Sequence, residues 1–306
     1  LHNSIYSFAL ILTVFLLSLA VGATLASALA RRALPVRPTL LGLLTGAGMG
    51  VALTPWTFHL LTGGLEYLAA DAGWYAYLRA ITSAAVLALL VPGTLVGSVL
   101  PYLLHAATGT ANTPGSLLGR LGGANAAGAV AGALLGGFVL LDQFGLWGGV
   151  RLLSIAYLAA AAAVAGPLGA RFLSAPLAAL LVIATVLDPT RLPTVRQRDG
   201  ERILGQWESA YGITAVVERS GARRLKMDNH YSLGGSGARQ YEQTQADIPL
   251  VIHPAARTVF IVGLGSGITA GATLPHAVER LTVVELVPEV ISAARAHFRP
   301  WLNGLF

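Results

Sequence analysis

Long apolar stretches fill the first 187 residues of the chain, and short alternating runs fill the rest. Six stretches stay apolar over about 20 residues, the length that crosses a bilayer as a helix. They lie at about 4–30, 39–62, 80–104, 121–141, 146–165 and 172–187. The first is too long for a secretory leader, and five more follow it. Pro92 and Pro101 fall inside or at the end of the third, where neighbours must satisfy the backbone groups that proline frees. The fourth reads "LGGANAAGAVAGALLGGFVLL" and carries Gly128, Gly132 and Gly136 four apart, with Ala127 and Ala131 alongside. Small residues at that spacing let another helix approach closely; packing within the bundle is favoured over a dimer face, and a homo-oligomer stays open. Asn125 in the same stretch is an interhelical hydrogen-bond partner, with a transport path as the alternative.

From Glu201 the pattern changes. "GITAVVE" (212–218) and "RRLKMD" (223–228) read as antiparallel strands around the turn "ERSGA" (218–222). The segment "NHYSLGGSGARQYEQTQADIPLVIHP" predicts a glycine-rich loop and then a helix from about 239 to 251. "RTVFIV" (257–262) predicts a buried strand, "ITAGATLPHA" the start of a helix, and "RLTVVEL" (280–286) a second buried strand. "PEVISAARAHF" (288–298) predicts a helix with Pro288 in its first turn. The expected fold class is a polytopic α-helical membrane bundle, then a small antiparallel β unit, then the start of an α/β Rossmann-like domain. The expected domains are a transmembrane domain of about six spans at 1–188, a linker, hairpin, loop and helix at 189–256, and a βαβ nucleotide-binding domain at 257–306.

Composition sharpens that division. The chain is 55% hydrophobic and 11% charged, whereas soluble domains carry about 25% charged residues. Residues 1–187 hold seven Arg and three acids, while 188–306 hold thirteen Lys and Arg and eleven acids. The net charge is +6, and nineteen of the twenty basic residues are Arg. They form no basic stripe with interleaved aromatics, so nucleic acid is not an expected partner. There is no cysteine, and the seven His never pair at ligand spacing, so no metal site is expected. Arg79, Arg120, Arg151 and Arg171 fall at span ends and no ionisable residue lies at mid-span, which gives no sign of a pump. Arg31, Arg32 and Arg37 argue for a cytoplasmic first loop, and Arg191, Arg196, Arg198 and Arg202 for a cytoplasmic segment after the last span. Six spans put these two clusters on opposite sides, so either one stretch does not cross or the second half is exported. The start at Leu1 and the end at "RPWLNGLF", with two strands of a nucleotide-binding sheet, suggest an internal piece of a longer protein.

The chemistry gathers in "FIVGLGSGITAGA" (260–272). Gly263 and Gly265 let the main chain turn under a ligand with no Cβ in the way, and a helix N-terminus offers free N–H groups. Glu285 stands at the carboxyl end of the next strand, 22 residues after Gly263. A carboxylate there can accept both hydroxyls of an adenosine ribose. Residue types alone leave NAD and S-adenosyl compounds open, and Gly-x-Gly-x-Gly leans towards the latter.

At these motifs the chain resembles the spermidine synthase (polyamine aminopropyltransferase) family, in particular its membrane-integral bacterial branch. "ESAYGITAVVE" resembles the opening strand, and "RRLKMDNHYS" the leucine–apolar–Asp–Gly–x–Gln hairpin. "QYEQTQADIPLVIHPAARTVFIVGLGSG" resembles the Tyr-His-Glu helix with its glycine loop, and "RLTVVELVPEVISAARAHF" the stretch with the ribose acid. "FLLSLAVGATLASALARR" and "GRLGGANAAGAVAGALLGGFVLLDQFGLWG" resemble the spans of fused members. The resemblance implies that Gly263, Gly265, Ser266 and Gly267 line decarboxylated S-adenosylmethionine, a co-substrate rather than a tightly held cofactor. It implies that Glu285 holds the ribose and that Tyr241 is the motif tyrosine. Glu242 and Gln243 replace the family's His and Glu, Ser266 replaces the Asp of Gly-Asp-Gly that grips the donor's amino tail, and Val287 replaces an Asp. The aspartate that takes the proton from the attacking amine is expected beyond Phe306, so these residues alone should not turn over. Asp228, Glu242 and Asp247 are candidate contributors to an acidic groove for a small-molecule amine.

The leading expectation is a membrane-anchored aminopropyltransferase in the bacterial inner membrane, with lipid around its first half and the cytoplasmic side favoured for its second. The alternatives are an S-adenosylmethionine-dependent methyltransferase-like enzyme and a non-catalytic transport or sensor protein.

Overall fold

The computed structural model describes residues 5–32, 34–68, 73–108 and 114–306, and Ser4, at the edge of the first expected span, lies outside them. Two units, Leu1–Pro193 and Thr194–Phe306, each hold their own contacts.

The first unit is helical: α1 (Ile5–Arg31), α2 (Val36–Leu61), α3 (Trp74–Thr108), α4 (Pro114–Leu135), α5 (Leu141–Ala165) and α6 (Ala170–Thr185). Among the described residues five stretches are long and apolar enough to cross a membrane by length and composition: Ile5–Arg31, Val36–Leu61, Trp74–Ala107, Gly115–Leu168 and Ala170–Arg191. The fourth and fifth stretches predicted from sequence lie within one apolar run of 54 residues, which breaks at Gly145, between them. Asp142 and Gln143, the polar break between them, stay helical. The run carries a π-helical turn at Gly136–Leu140 and a non-helical Gly145 at φ 67°, ψ −179°. Pro55, Pro92 and Pro101 all lie inside helices.

Helix α2 is central. Leu40 and Leu43 pack with Ala26 of α1 and Tyr102 of α3, while Leu41 and Leu44 pack with Ala161 and Ala165 of α5. Further along, Ala52 meets Leu158, Ala179 and Ile183. Ser154 donates to the Gly48 carbonyl at 2.9 Å, and Arg151 pairs with Asp188 at 3.2 Å. The expected packing of the α4 small-residue stripe within the bundle is not observed. A Cβ at Gly128, Gly132 or Gly136 would meet no atom within 4 Å, and residues 122–135 are all exposed. Close approach occurs between α1 and α3 instead. A Cβ at Gly22 would lie 2.4 Å from the Thr94 carbonyl oxygen, and one at Gly97 would lie 2.7 Å from the Leu19 Cα. Gly93 and Gly97 have the same four-residue spacing as the α4 stripe, but they have a helix against them.

The second unit begins with an antiparallel sheet in the order β1 (Arg202–Ser209), β2 (Gly212–Arg219), β3 (Ala222–Met227) and β4 (Tyr231–Gly235). Strand β4 lies where the sequence predicts a glycine-rich loop; its two glycines carry no side chain to show alternation. Then come α7 (Arg239–Ile252), β5 (Thr258–Val262), α8 (Ile268–Ala272), β6 (Arg280–Val284) and α9 (Pro288–His297). β5 and β6 pair in parallel, Val259 with Leu281 and Ile261 with Val283. One core joins both sheets: Val216 and Leu225 of β2 and β3 pack with Leu264, Ile268, Val290, Phe298 and Leu302. Residues 194–256 and 257–306 are therefore one body. Ile261, Leu281 and Val283 face that core. Phe260, Val262 and Val284 on the opposite face are exposed, so the two strands predicted as buried are covered on one side only. Parallel sheets are ordinarily covered on both.

Glu201 ties the entry segment to β3. Its side chain is 1% exposed, and it accepts from Arg224 at 2.7 Å, from Lys226 at 3.2 Å and from the Arg198 amide at 3.2 Å. Burial by itself raises the Glu201 pKa, but the Arg198 amide, Lys226 and Arg224 outweigh it and hold the carboxyl below its ordinary 4.5. Burial pushes the Lys226 ammonium down; Glu201 opposes that, and Arg224 and Arg198 add to it. A carboxyl with a depressed folded pKa contributes stability that is present above 4.5 and lost as pH falls through the folded value. Thermal melts should therefore show the second unit losing stability as pH drops below 4.5. Glu201→Gln should flatten that dependence and cost about 3–5 kcal/mol at neutral pH, as breaking a buried pair does.

Candidate functional site

The glycine turn follows β5 because three residues there adopt positive φ: Gly263 at 85°, Gly265 at 56° and Gly267 at 83°. The Gly263 amide donates to the Val284 carbonyl at 2.8 Å, which ties the start of the turn to β6. At Gly265 a Cβ would stand 2.4 Å from the Leu233 carbonyl oxygen, so turn and β4 meet backbone to backbone. Helix α8 is only five residues long, shorter than expected, so the N–H groups and dipole of a long helix are not behind this turn.

A cleft of about 690 Å³ opens above the turn, bounded by β4, the first turns of α7 and the end of β6. It places Gly263, Gly265, Ser266, Glu285, Tyr241 and Glu242 together on one lining. Gly267 is buried behind it, where a Cβ would come 3.0 Å from the Leu302 side chain. Asp228 and Asp247 are not on that lining. Asp228 accepts from the Ile213 amide at 2.9 Å at the turn after β3, and Asp247 bonds His276 Nε2 at 2.8 Å. Those two carboxylates bond the turn after β3 and His276, away from the residues that line this cleft.

The Glu285 carboxylate turns back onto the glycine turn. Its Oε2 accepts from the Leu264 amide at 2.7 Å and its Oε1 from the Val287 amide at 3.0 Å. On the opposite wall Glu242 is 8% exposed. Its Oε1 accepts from the Gly235 amide at 2.6 Å, and its Oε2 accepts from the Ser266 hydroxyl. Tyr241, beside it, is exposed at the mouth. Among the described residues the lining holds these two carboxylates and no Lys, Arg or His. Sequence reading missed the β4 contribution of Ser232, Leu233 and Gly234. The available signal was the "GG" pair at 234–235 ahead of the α7 carboxylate, which marks a close backbone approach.

Relatives are recognisable from sequence. The polyamine aminopropyltransferase of Corynebacterium efficiens is 32% identical over 235 residues, 72% of this chain and 45% of that protein. That of Mycobacterium tuberculosis is 31% identical over 224 residues, 68% of this chain and 42% of that protein. The chain belongs to the spermidine synthase-like family. A third relative with the same name, from Aeropyrum pernix, is 31% identical over 108 residues, 35% of this chain and 34% of that protein. The chain spans less than half the length of all three, at 45%, 42% and 34%. No protein-family model and no solved structure matches it. As a spermidine synthase-like chain it departs from the motif pattern at Glu242, Gln243, Ser266 and Val287, and the structure brings Glu242 and Ser266 into direct contact.

Proposed function

We propose that the cleft binds a sulfonium nucleoside, decarboxylated S-adenosylmethionine, for transfer of its aminopropyl group to an amine by a membrane-anchored protein. The observation that carries this reading is the charge of the cleft: two carboxylates and no cationic side chain among the described lining residues. A dinucleotide brings phosphates and S-adenosylmethionine brings a carboxylate, and neither would meet a cationic partner there. The decarboxylated donor brings a sulfonium and an ammonium, and both suit an acidic wall.

In the reaction the amine nitrogen attacks the carbon next to the sulfonium. The carbon–sulfur bond breaks with its electron pair going to sulfur, 5′-methylthioadenosine leaves, and the nitrogen gives up a proton to a base. Such catalysis is mainly positioning plus proton removal. Glu285 holds the ribose, and the glycine turn supports the nucleoside without side chains in the way.

The helical unit anchors this site in a cell membrane. The Arg196 and Arg198 cluster after the last apolar helix supports the cytoplasmic side for the second unit.

Calorimetry on the full-length protein tests the reading. The decarboxylated donor should bind and intact S-adenosylmethionine should bind far more weakly. A preference for S-adenosylmethionine would turn the assignment to a methyltransferase-like enzyme, and binding of neither would remove it.

A further inference from the structure

We propose that Glu242 is the counter-ion for the primary ammonium at the tail of the bound nucleoside, and thereby the residue that selects tails without a carboxylate; this rests on the function proposed above. Glu242 is a carboxylate nearly removed from solvent yet part of the cleft wall. Its protein partners are neutral: the Gly235 amide on one oxygen and the Ser266 hydroxyl on the other. The Ser266 hydroxyl donates to Glu242, while its oxygen accepts from the Ile268 amide at 3.3 Å. An ionised carboxylate has about four acceptor sites, so two of them stay available to a donor in the cleft. A buried carboxylate without a countercharge is costly, and no cation of the protein lines this cleft among the described residues. A cationic group of the ligand supplies what is missing.

The backbone is shaped around this group. A Cβ at Gly234 would stand 2.8 Å from Glu242 Oε1, so a side chain there would push the carboxylate out of its seat. Thr269 donates to the Glu242 carbonyl at 3.0 Å and holds the first turn of α7 against α8. Glu285 and Glu242 therefore stand at the two ends of the glycine turn, one bonded to the Leu264 amide and the other to the Ser266 hydroxyl. A ligand lying along the turn meets a carboxylate for its diol at one end and a carboxylate for its ammonium at the other. An α-amino acid tail would bring its own carboxylate against Glu242, and like charges in a low-dielectric wall repel strongly.

Calorimetry with full-length protein in detergent tests this with decarboxylated S-adenosylmethionine and 5′-methylthioadenosine, which lacks the ammonium. Glu242→Gln should weaken the first about 10- to 100-fold, the range of one hydrogen bond to a charged group. It should leave the second within about twofold, since a neutral ligand forms no such bond. Ser266→Ala, a smaller change, should lower only the first, and by less. Glu242→Gln combined with Ser266→Asp returns a carboxylate to the same spot and should restore binding of the ammonium ligand. Equal losses for both ligands would assign Glu242 a structural role and overturn the proposal, as would no loss for either. If the unaltered protein binds neither ligand, the function proposed above fails and this inference with it. If it binds both while the variants behave as the unaltered protein does, this inference alone fails.

Discussion

Glu285→Ala should abolish nucleoside binding while residues 194–306 remain folded. The carboxylate accepts from the Leu264 and Val287 amides, at 2.7 and 3.0 Å, so its two oxygens are already aimed and need no reordering to receive a ligand. Its remaining acceptor sites can take both ribose hydroxyls. Two charge-assisted bonds, each about 1.5–3 kcal/mol, correspond to a loss of about 100-fold or more. The fold survives because Glu285 is only half-buried and water from the open cleft can reach the two abandoned amides. Calorimetry reads the affinity and circular dichroism the fold. A 2′-deoxyribose analogue, which loses one of the two hydroxyls, should bind the unaltered protein about 10- to 100-fold more weakly than the ribonucleoside, a smaller loss than in the variant. Retained affinity in Glu285→Ala would remove the ribose assignment.

Gly265→Val should unfold the junction between the glycine turn and β4. Two costs add there. Residue 265 sits at φ 56°, which a β-branched side chain strongly disfavours. Its Cβ would also stand 2.4 Å from a backbone oxygen, that of Leu233, which cannot step aside as a flexible side chain can. Together these amount to about 3 kcal/mol or more, from a left-handed backbone penalty of about 1–2 kcal/mol plus overpacking. Gly263→Ala separates the two terms: φ there is 85°, but its Cβ would meet nothing within 4 Å. It should cost only the backbone term. Hydrogen exchange followed on peptides from residues 194–306 checks both, with protection lost at β4 and the turn in Gly265→Val and largely kept in Gly263→Ala. Equal protection in the two variants would show that the Leu233 contact does not hold the turn.

These two variants also show how unevenly the site could be read. The strand–turn–helix–strand order at 258–297, the three glycines and the acid at 285 were legible because each is a local signal: an apolar run, a residue type with special backbone freedom, a fixed spacing. Glu242 was legible as a candidate but not as a buried group, since nothing in "QYEQ" tells which of its side chains faces a cleft. Asp228 and Asp247 carry the same charge and are turned to other work, one on the Ile213 amide and one on His276. Strand β4 escaped because "YSLGG" has neither alternation nor β-branched residues; its partner β3 holds it in place.

The same limit governs the helical half. Length and hydropathy suffice to mark membrane-type helices and the change near residue 190, because transfer of side chains out of water depends on composition over a window and on little else. They do not say which glycine stripe is covered. Gly93 and Gly97 meet α1, while Gly128, Gly132 and Gly136, equally spaced, meet nothing. They also do not give the π-helical turn at Gly136–Leu140 inside the Gly115–Leu168 run. The family, the glycine turn and the acid that follows the second strand could be read along the chain. Which carboxylate lines the cleft, what charge the cleft carries and which helices touch depended on atoms far apart in sequence, such as Ser266 and Glu242, arriving within hydrogen-bond reach. Hydrogen bonds and close packing act over a few ångströms in space, and no pattern along the chain encodes that distance.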